Sequence, residues 1–143
     1  MARVPLQILV LPYRRRTRGV EVAVFRRSDN GIWQGIAGGG EDDEKPEDAA
    51  RRELREEAGI DVDNDLIGLA SRAMIDARSI GDYDWGDITA VPEYAFAVDI
   101  GDSHVAIGHE HSEYRWVDID TAMSMLHWES NRAALGELSA RLV

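Results

Sequence analysis

The chain has 143 residues, a length that suits one domain with a buried core, and we expect a single domain over residues 1–143. Its 27 acidic and 16 basic residues give a net charge of −11 at pH 7, which opposes binding to polymeric nucleic acid or to an anionic membrane surface. It has no cysteine, so disulfides, thiol catalysis and thiolate-bound zinc are excluded.

The first predicted element is a strand at residues 4–11, an apolar run that Pro12 is expected to end. This run is too short to span a bilayer, and basic residues follow it instead of preceding it, which is opposite to a secretory signal. We therefore expect a soluble, cytoplasmic protein. A polar connection at residues 13–19, interpreted as a solvated tip, leads to a second strand at residues 20–25, and we expect the two strands to pair as a hairpin.

The segment after this hairpin carries two adjacent arginines and a glycine-rich stretch. Arg26 and Arg27 precede a turn at residues 28–31, and one of them could face a catalytic site. Residues 33–37 predict a short strand. Residues 38–40 are all glycine and predict a turn that leads into a helix.

Residues 38–60, with the sequence GGGEDDEKPEDAARRELREEAGI, predict a loop, a helix and a loop. Pro46 suits the first helical position, and Gly59 suits the position that ends a helix. At about 100° per residue, the apolar side chains form one narrow stripe, made of Ala50, Leu54 and Ala58.

Three glutamates, Glu53, Glu56 and Glu57, share the adjoining face of this helix. Each i,i+4 pair of like charges costs about 0.2–0.5 kcal/mol on an isolated helix, and neighbouring arginines relieve only part of that cost. The cluster is therefore either a solvated charged face or the site of a missing cation. Since all its ligand atoms are oxygens, Mg²⁺, Mn²⁺ or Ca²⁺ would suit it better than zinc.

Past the helix, residues 66–77 predict a strand whose inward candidates are Ile67, Leu69, and Ala73 or Met74. Residues 78–87 predict a loop with two aromatic side chains, Tyr83 and Trp85, which either stack on a base or anchor a lid. Residues 88–100 predict another strand, and Pro92 indicates a bulge or an edge at its start.

Residues 101–113 predict a polar loop with three histidines, His104, His109 and His111. They lack the helical spacing of a zinc hydrolase, and loop polarity explains them adequately. A short strand at residues 114–117 precedes two helices. The first is capped by Asp118 or Asp120, and the second is opened by Ser130.

This order of strands and helices predicts an α/β fold, with a mixed β-sheet covered by helices on both faces. The inner face of the last helix is expected to carry Ala134, Leu135 and Leu138.

The spacing within residues 38–60 resembles the Nudix box at every specified position. The matching residues are Gly38, then Glu44 after five residues, then Arg52, Glu53 and Leu54 after seven more, followed by Glu56, Glu57, Gly59 and Ile60. The resemblance implies the Nudix-type α/β/α sandwich.

The similarity extends along the chain towards the bacterial dATP and dihydroneopterin triphosphate pyrophosphohydrolases. It rests on residues 5–10, Arg26-Arg27, Trp33-Gln34, Glu110-His111, Tyr114, Trp116, Asp118 and residues 128–132, whereas residues 61–102 depart from the pattern.

The resemblance implies a divalent-metal-dependent pyrophosphohydrolase that uses Mg²⁺ or Mn²⁺ and converts a nucleoside or pterin triphosphate to monophosphate and pyrophosphate. It implies catalytic roles for Glu53, Glu56, Glu57 and Arg52. The same three glutamates are metal ligands, and Glu110 is either an additional ligand or a solvated loop residue. Either Glu53 or a carboxylate on an outer loop is the candidate base. The implied substrate-binding residues are Arg3, Arg26, Ala37, Gly38, Gly39 and His127, of which the two arginines are alternatively surface charges.

Two alternatives remain open at this point. One is a Nudix enzyme for another nucleoside diphosphate derivative, such as a dinucleoside polyphosphate or a nucleotide sugar. The other is a non-catalytic nucleotide-binding regulator on the same scaffold. In each case the expected partner is a small molecule, with no nucleic-acid polymer and no membrane, and the oligomeric state stays open.

Overall fold

Seven strands and four helices follow one another in the part of the chain that the computed structural model describes, which is residues 2–62 and 66–142. The strands are β1 (Arg3–Arg16), β2 (Gly19–Arg27), β3 (Trp33–Gln34), β4 (Ile36–Glu41), β5 (Ile67–Asp76), β6 (Ala90–Asp99) and β7 (His111–Asp118). The helices are α1 (Pro46–Ala58), α2 (Ala77–Ile80), α3 (Ile119–Met125) and α4 (Glu129–Arg141). Within the described ranges, none of the helices combines the length and the apolarity that a bilayer crossing needs.

The strands form one mixed sheet in the order β3-β2-β1-β6-β5, with β4 paired to β1 and β7 paired to β2. The central pair β1 and β6 is parallel, whereas the other pairs are antiparallel. Side chains of β1 alternate between two cores, because Ile8 packs on the face that α1 covers and Leu9 on the face that α3 and α4 cover. The α/β/α sandwich expected from the sequence is confirmed.

Strand β1 continues past Pro12, where the sequence predicted its end. The β4 partners of β1 end at Val10 and its β2 partners begin at Tyr13, so Pro12 lies where the neighbouring strand changes. A missing backbone N–H costs little at such a position. The connection to β2 is correspondingly shorter than predicted, and Arg14 is paired with Glu21 across the hairpin at 2.7 Å instead of standing in solvent.

The glycines expected to form a turn lie in strand β4. Gly38 lies beside Ile8 and Gly39 beside Gln7 of β1, and the register shifts between Gly39 and Glu41. The strand predicted at residues 33–37 divides at Gly35, since β3 pairs with β2 and β4 pairs with β1. The glycine-rich stretch is therefore extended and paired within the sheet, and it does not form the predicted turn.

Helix α1 confirms the boundaries that the sequence predicted. Pro46 occupies the first helical position, and Gly59 ends the helix with a left-handed φ of 66°. The predicted stripe is buried, with Ala50, Leu54 and Ala58 at most 1% exposed. The carboxylate face of α1 is consequently fixed relative to the sheet.

Several later element boundaries differ from prediction, whereas the Asp118 cap of α3 is one of the two predicted caps. Asp76 accepts from Arg78 N and starts the short helix α2 inside the predicted loop. His111 is the first residue of β7, paired with Arg27, instead of a loop residue. Asp118 caps α3 by accepting from Thr121 N at 2.7 Å. Helix α4 begins at Glu129, after Trp128, so Ser130 is not its cap.

Strand β5 is irregular between Gly68 and Arg72, where its register with β6 shifts. Glu137 of α4 reaches this irregularity and accepts from the backbone N–H groups of Ala70 and Ser71, both at 2.7 Å. Of the residues predicted to point inward from this strand, Leu69 is buried, whereas Met74 is 66% exposed.

We expect Glu137→Ala to lower the free energy of unfolding by about 1–3 kcal/mol, because two backbone donors lose a charged acceptor. Urea denaturation followed by circular dichroism measures the change. Glu47→Ala is the matched control, since Glu47 makes an exposed i,i+4 ion pair with Arg51 at 3.3 Å and should change stability by less than about 0.5 kcal/mol. Equal effects of the two substitutions would contradict the role given to Glu137.

Candidate functional site

Helix α1 brings the carboxylates of Glu53, Glu56 and Glu57 together. One oxygen from each lies within 4.8 Å of the other two. Glu53 and Glu57 are only 8% and 5% exposed, whereas Glu56 faces solvent. Two buried acids beside a third are not a merely solvated face, because burial disfavours their ionised form.

Arg52 contacts two of these three acids and joins them to the rest of the fold. Its Nη1 donates to Glu53 at 3.0 Å and to Glu56 at 3.3 Å. Its Nε and Nη2 donate to the two carboxylate oxygens of Glu44 at 3.0 and 3.1 Å, and Nη2 also donates to the Gly39 carbonyl at 2.6 Å. Such a two-pronged arrangement is specific to the planar guanidinium. Arg52 thereby fixes the orientation of Glu53.

Burial and mutual repulsion change the proton affinity of the acids. Burial raises the pKa of Glu53 to about 7, against the opposing effect of Arg52. Burial also raises the pKa of Glu57, and the charges of Glu110 and Glu56 act in the same direction. In contrast, the hydrogen bonds from Arg52 hold the pKa of Glu44 below its usual range.

Glu57 has an unexpected neighbour in His111. Its Oε2 lies 3.3 Å from His111 Nδ1, yet the geometry is not that of a hydrogen bond, and both buried atoms lack a hydrogen-bond partner. Burial lowers the pKa of His111, so its ring is neutral near pH 7. The sequence placed His111 in a polar loop, and only its position next to Glu110 could have indicated this contact.

Two glycines of β4 leave room for side chains that cross the strand. A Cβ on Gly38 would lie 2.2 Å from Cδ of Glu53, and a Cβ on Gly39 would lie 1.6 Å from Cζ of Arg3. Glu53 and Arg3 therefore occupy the space that side chains at these positions would fill.

A cavity of about 680 Å³ extends from Glu53 across the open part of the sheet. Its floor contains one residue from each of four neighbouring strands, since the strand registers align Gly39, Gln7, Glu93 and Ala73. Residues at the start of α4, including Trp128, form one wall. The volume lies within the range of about 300–1,000 Å³ that is typical of small-molecule sites.

The structure brings most of the predicted site residues to this cavity. Those in its lining are Arg3, Ala37, Gly38, Gly39, Glu53 and Glu110. Glu110 is exposed and remains outside the group of three acids.

Arg52, Glu56 and Glu57 are grouped with Glu53 beside the cavity, and the remaining two predicted residues, Arg26 and His127, lie elsewhere. Arg27 contributes to the cavity and Arg26 does not, and the pairing of β2 with β7 is irregular between these two residues. His127 is exposed beside Trp128, which contributes to the cavity wall in its place.

Tyr83 and Trp85 contact each other at the cavity rim. Their rings stack with centroids 4.9 Å apart, and the Arg3 guanidinium lies 5.5 Å from the first ring and 5.7 Å from the second. Trp85 Nε1 also donates to the Arg3 carbonyl at 3.2 Å. Of the two interpretations offered for these rings, the contacts favour anchoring of the loop.

Sequence reasoning missed Glu93, which lies on the cavity floor and is 7% exposed. Burial raises its pKa, while a hydrogen bond with Ser130 acts in the opposite direction. An acid flanked by apolar residues within β6 was the available signal, because such a residue is rarely buried without a role.

The acidic group fits a hard divalent cation. Glu53, Glu56 and Glu57 supply only oxygen ligands, and the buried Oε2 of Glu57 has no hydrogen-bond partner. An orphaned buried carboxylate oxygen is costly unless it gains a proton or a cation. Oxygen ligands of this kind suit Mg²⁺, Mn²⁺ or Ca²⁺.

Comparison with known proteins adds independent information. A family model described as NUDIX domain matches residues 4–138. Dihydroneopterin triphosphate diphosphatase from Escherichia coli strain K12 is 29% identical over 140 residues, which cover 92% of this chain and 89% of that protein. A Myxococcus xanthus protein named octanoyltransferase is 34% identical over 128 residues, and the match covers 86% of this chain but only 34% of that longer protein.

Solved structures agree with the family model. A protein from Listeria monocytogenes described as a Nudix hydrolase has a TM-score of 0.89 and 38% identity, covering 97% of this chain and 94% of that chain. The Escherichia coli dihydroneopterin triphosphate pyrophosphohydrolase has a TM-score of 0.82 and 27% identity, with 99% of each chain covered.

We expect Gly38→Ala to displace the Glu53 side chain, because the new methyl group would overlap its carboxyl group. Affinity for Mn²⁺ should fall by about 10- to 100-fold, as it does when the supports of a metal ligand are lost. Calorimetric titration measures it. Gly136→Ala is the control, since its Cβ would meet only Met123 Cε at 3.7 Å. Unchanged affinity in Gly38→Ala would refute the packing argument.

The raised pKa of Glu53 predicts how the stability of the metal-free protein depends on pH. Between its ordinary pKa of 4.5 and about 7, the folded state binds more protons at this site than the unfolded state does. The free energy of unfolding should therefore fall as pH rises through this interval. Glu53→Gln should reduce that slope, measured by urea denaturation in a chelator at about pH 5 and about pH 8. An identical slope in both proteins would count against the raised pKa.

Proposed function

The chain belongs to the Nudix family, as its sequence predicts, and we propose that it is a divalent-metal-dependent pyrophosphohydrolase. It converts a nucleoside or pterin triphosphate to a monophosphate and pyrophosphate. The observation that carries the proposal is the group of three acids, Glu53, Glu56 and Glu57, next to a cavity of about 680 Å³. The first of them lines that cavity directly.

We assign Glu53, Glu56 and Glu57 to the binding of Mg²⁺ or Mn²⁺, and Glu110 supplies a further carboxylate from the loop before β7. When bound, the cation neutralises the charge that develops on the phosphate oxygens during transfer. Arg52 keeps Glu53 oriented through its 3.0 Å hydrogen bond. Either Glu53 or a carboxylate on a loop outside α1 accepts the proton of the attacking water.

The cavity lining of this chain, whose net charge is −11, contains arginines as well as the carboxylates of Glu53, Glu93, Glu110 and Glu129. Arg3 and Arg27 both contribute to its lining, so a triphosphate entering there meets cations despite the overall repulsion. Arg3 is the better placed of the two, since it lies over Gly39 on the cavity floor. We propose it as a phosphate contact.

Similarity in sequence and in structure to the Escherichia coli enzyme whose name specifies dihydroneopterin triphosphate supports a triphosphate substrate with a fused ring.

Purified protein incubated with Mg²⁺ and a panel of nucleoside and pterin triphosphates should release pyrophosphate. In H₂¹⁸O the label shows which phosphorus is attacked, and we expect it in the monophosphate or in the pyrophosphate but not in free phosphate. Glu57→Gln should lower kcat/KM by at least about 100-fold, because a direct ligand should matter more than its supports. Glu47→Gln, at the exposed start of the same helix, should leave kcat/KM unchanged.

No product from any triphosphate, or equal rates for Glu57→Gln and the unaltered protein, would overturn the proposal. Binding of a triphosphate without turnover would then indicate a regulator on the same scaffold.

A further inference from the structure

The cavity floor contains one buried carboxylate that the proposed hydrolysis does not use. Glu93 is 7% exposed and lies two strands from Gly39, with Gln7 between them. Neighbouring strands are about 4.8 Å apart, so Glu93 lies about 10 Å from the glycine strand beside Glu53. It is therefore placed beyond the triphosphate, where the ring of a nucleotide would lie.

The other buried polar residues of this cavity already have partners. Gln34 accepts from Trp128 Nε1 at 3.1 Å, and Asn131 accepts from the Gly35 backbone N–H at 2.8 Å. Glu93 has only the hydroxyl of Ser130, and within residues 2–62 and 66–142 it forms no ion pair. Its remaining acceptor capacity faces the cavity.

The arginine of the adjacent strand β5 also contributes to the cavity lining, but its guanidinium has other partners. Arg72 precedes Ala73, the β5 neighbour of Glu93, and its guanidinium lies 4.5 Å from the Tyr94 ring centroid. Its Nη1 donates to the carbonyls of Leu69 and Ser71 at 2.8 and 3.0 Å. A buried carboxylate without a cation and with one hydroxyl donor is stabilised when a ligand supplies further N–H donors.

We propose that Glu93 determines ring specificity by accepting two hydrogen bonds from a 2-amino-4-oxopyrimidine edge, as found in guanine and in pterins. This inference rests on the proposed function for the placement of the phosphates. An ionised carboxylate has only acceptors, and this edge presents a ring N–H beside an exocyclic NH₂. The two donors match the two carboxylate oxygens.

The same chemistry disfavours adenine. Its corresponding edge presents one NH₂ donor beside a ring nitrogen lone pair, which would face a carboxylate oxygen. Glu93→Gln replaces one acceptor with a donor, so the amide would match adenine and mismatch the 2-amino group. The substitution should therefore change which ring is preferred and not merely weaken binding.

The test measures binding of GMP, IMP and AMP to the full chain by titration calorimetry in Mg²⁺, because monophosphates require no turnover. IMP differs from GMP only by the missing 2-amino group. The unaltered protein should bind GMP about 10- to 100-fold more tightly than IMP, the range for one hydrogen bond to a charged group. In Glu93→Gln this preference should disappear and AMP binding should become tighter, whereas Glu47→Gln should resemble the unaltered protein.

Equal affinity for GMP and IMP when they bind, absence of binding by GMP, IMP and neopterin monophosphate alike, or an unchanged preference in Glu93→Gln would each overturn the inference. A comparison of neopterin monophosphate with GMP distinguishes the two ring systems. The ligand that binds more tightly identifies the preferred ring, and loss of that tighter binding in Glu93→Gln supports the inference. Hydrolysis of the triphosphates is measured separately. Absence of hydrolysis with an intact GMP preference would overturn the proposed function alone, and hydrolysis without that preference would overturn the role of Glu93 alone.

Discussion

The site depends on holding three acids together on one turn of α1, although their charges repel one another. Arg52 supplies the attraction, because one guanidinium donates to Glu53, Glu56, Glu44 and the Gly39 carbonyl. These partners belong to α1, to the segment before it and to β4, so the hydrogen bonds fix the helix relative to the sheet as well as the acids relative to one another. Burial raises the pKa of Glu53 despite its hydrogen bond with Arg52, and the charges of Glu56 and Glu57 act in the same direction as burial.

Packing enforces the same arrangement from the other side. Glu53 can lie against β4 only because Gly38 has no side chain, and Arg3 can cross the strand only because Gly39 has none. Gly38 and Glu53 are separated along the chain but lie against each other in the folded protein. This contact explains why the number of residues between them in the Nudix box is fixed. Sheet pairing with β1 keeps both glycines in register with the cavity floor.

Much of this could be predicted from the sequence because it depends on local chemistry. The bounds of α1, its buried stripe and its acidic face follow from helical periodicity, Pro46 and Gly59. The layered fold follows from the order of elements. Contacts between distant segments could not be derived in this way. Pro12 is tolerated because β1 changes neighbours there, the glycines are flat because β1 pairs with them, and Glu57 meets His111 through the pairing of β7 with β2. Alternation alone could not choose between Arg26 and Arg27, since an irregularity in β2 intervenes.

The cavity floor crosses four strands in a line through Gly39, Gln7, Glu93 and Ala73. The proposed metal site and the proposed contact with the ligand ring therefore lie at different positions along this line. Its first position adjoins Gly38, against which Glu53 of α1 packs, and its last two positions are on β6 and β5, two and three strands away. During evolution, helix α1 could therefore stay unchanged while single substitutions on the floor, two or three strands away, change which ligand binds. Diversity of ligands on a common scaffold would then require no rebuilding of the backbone.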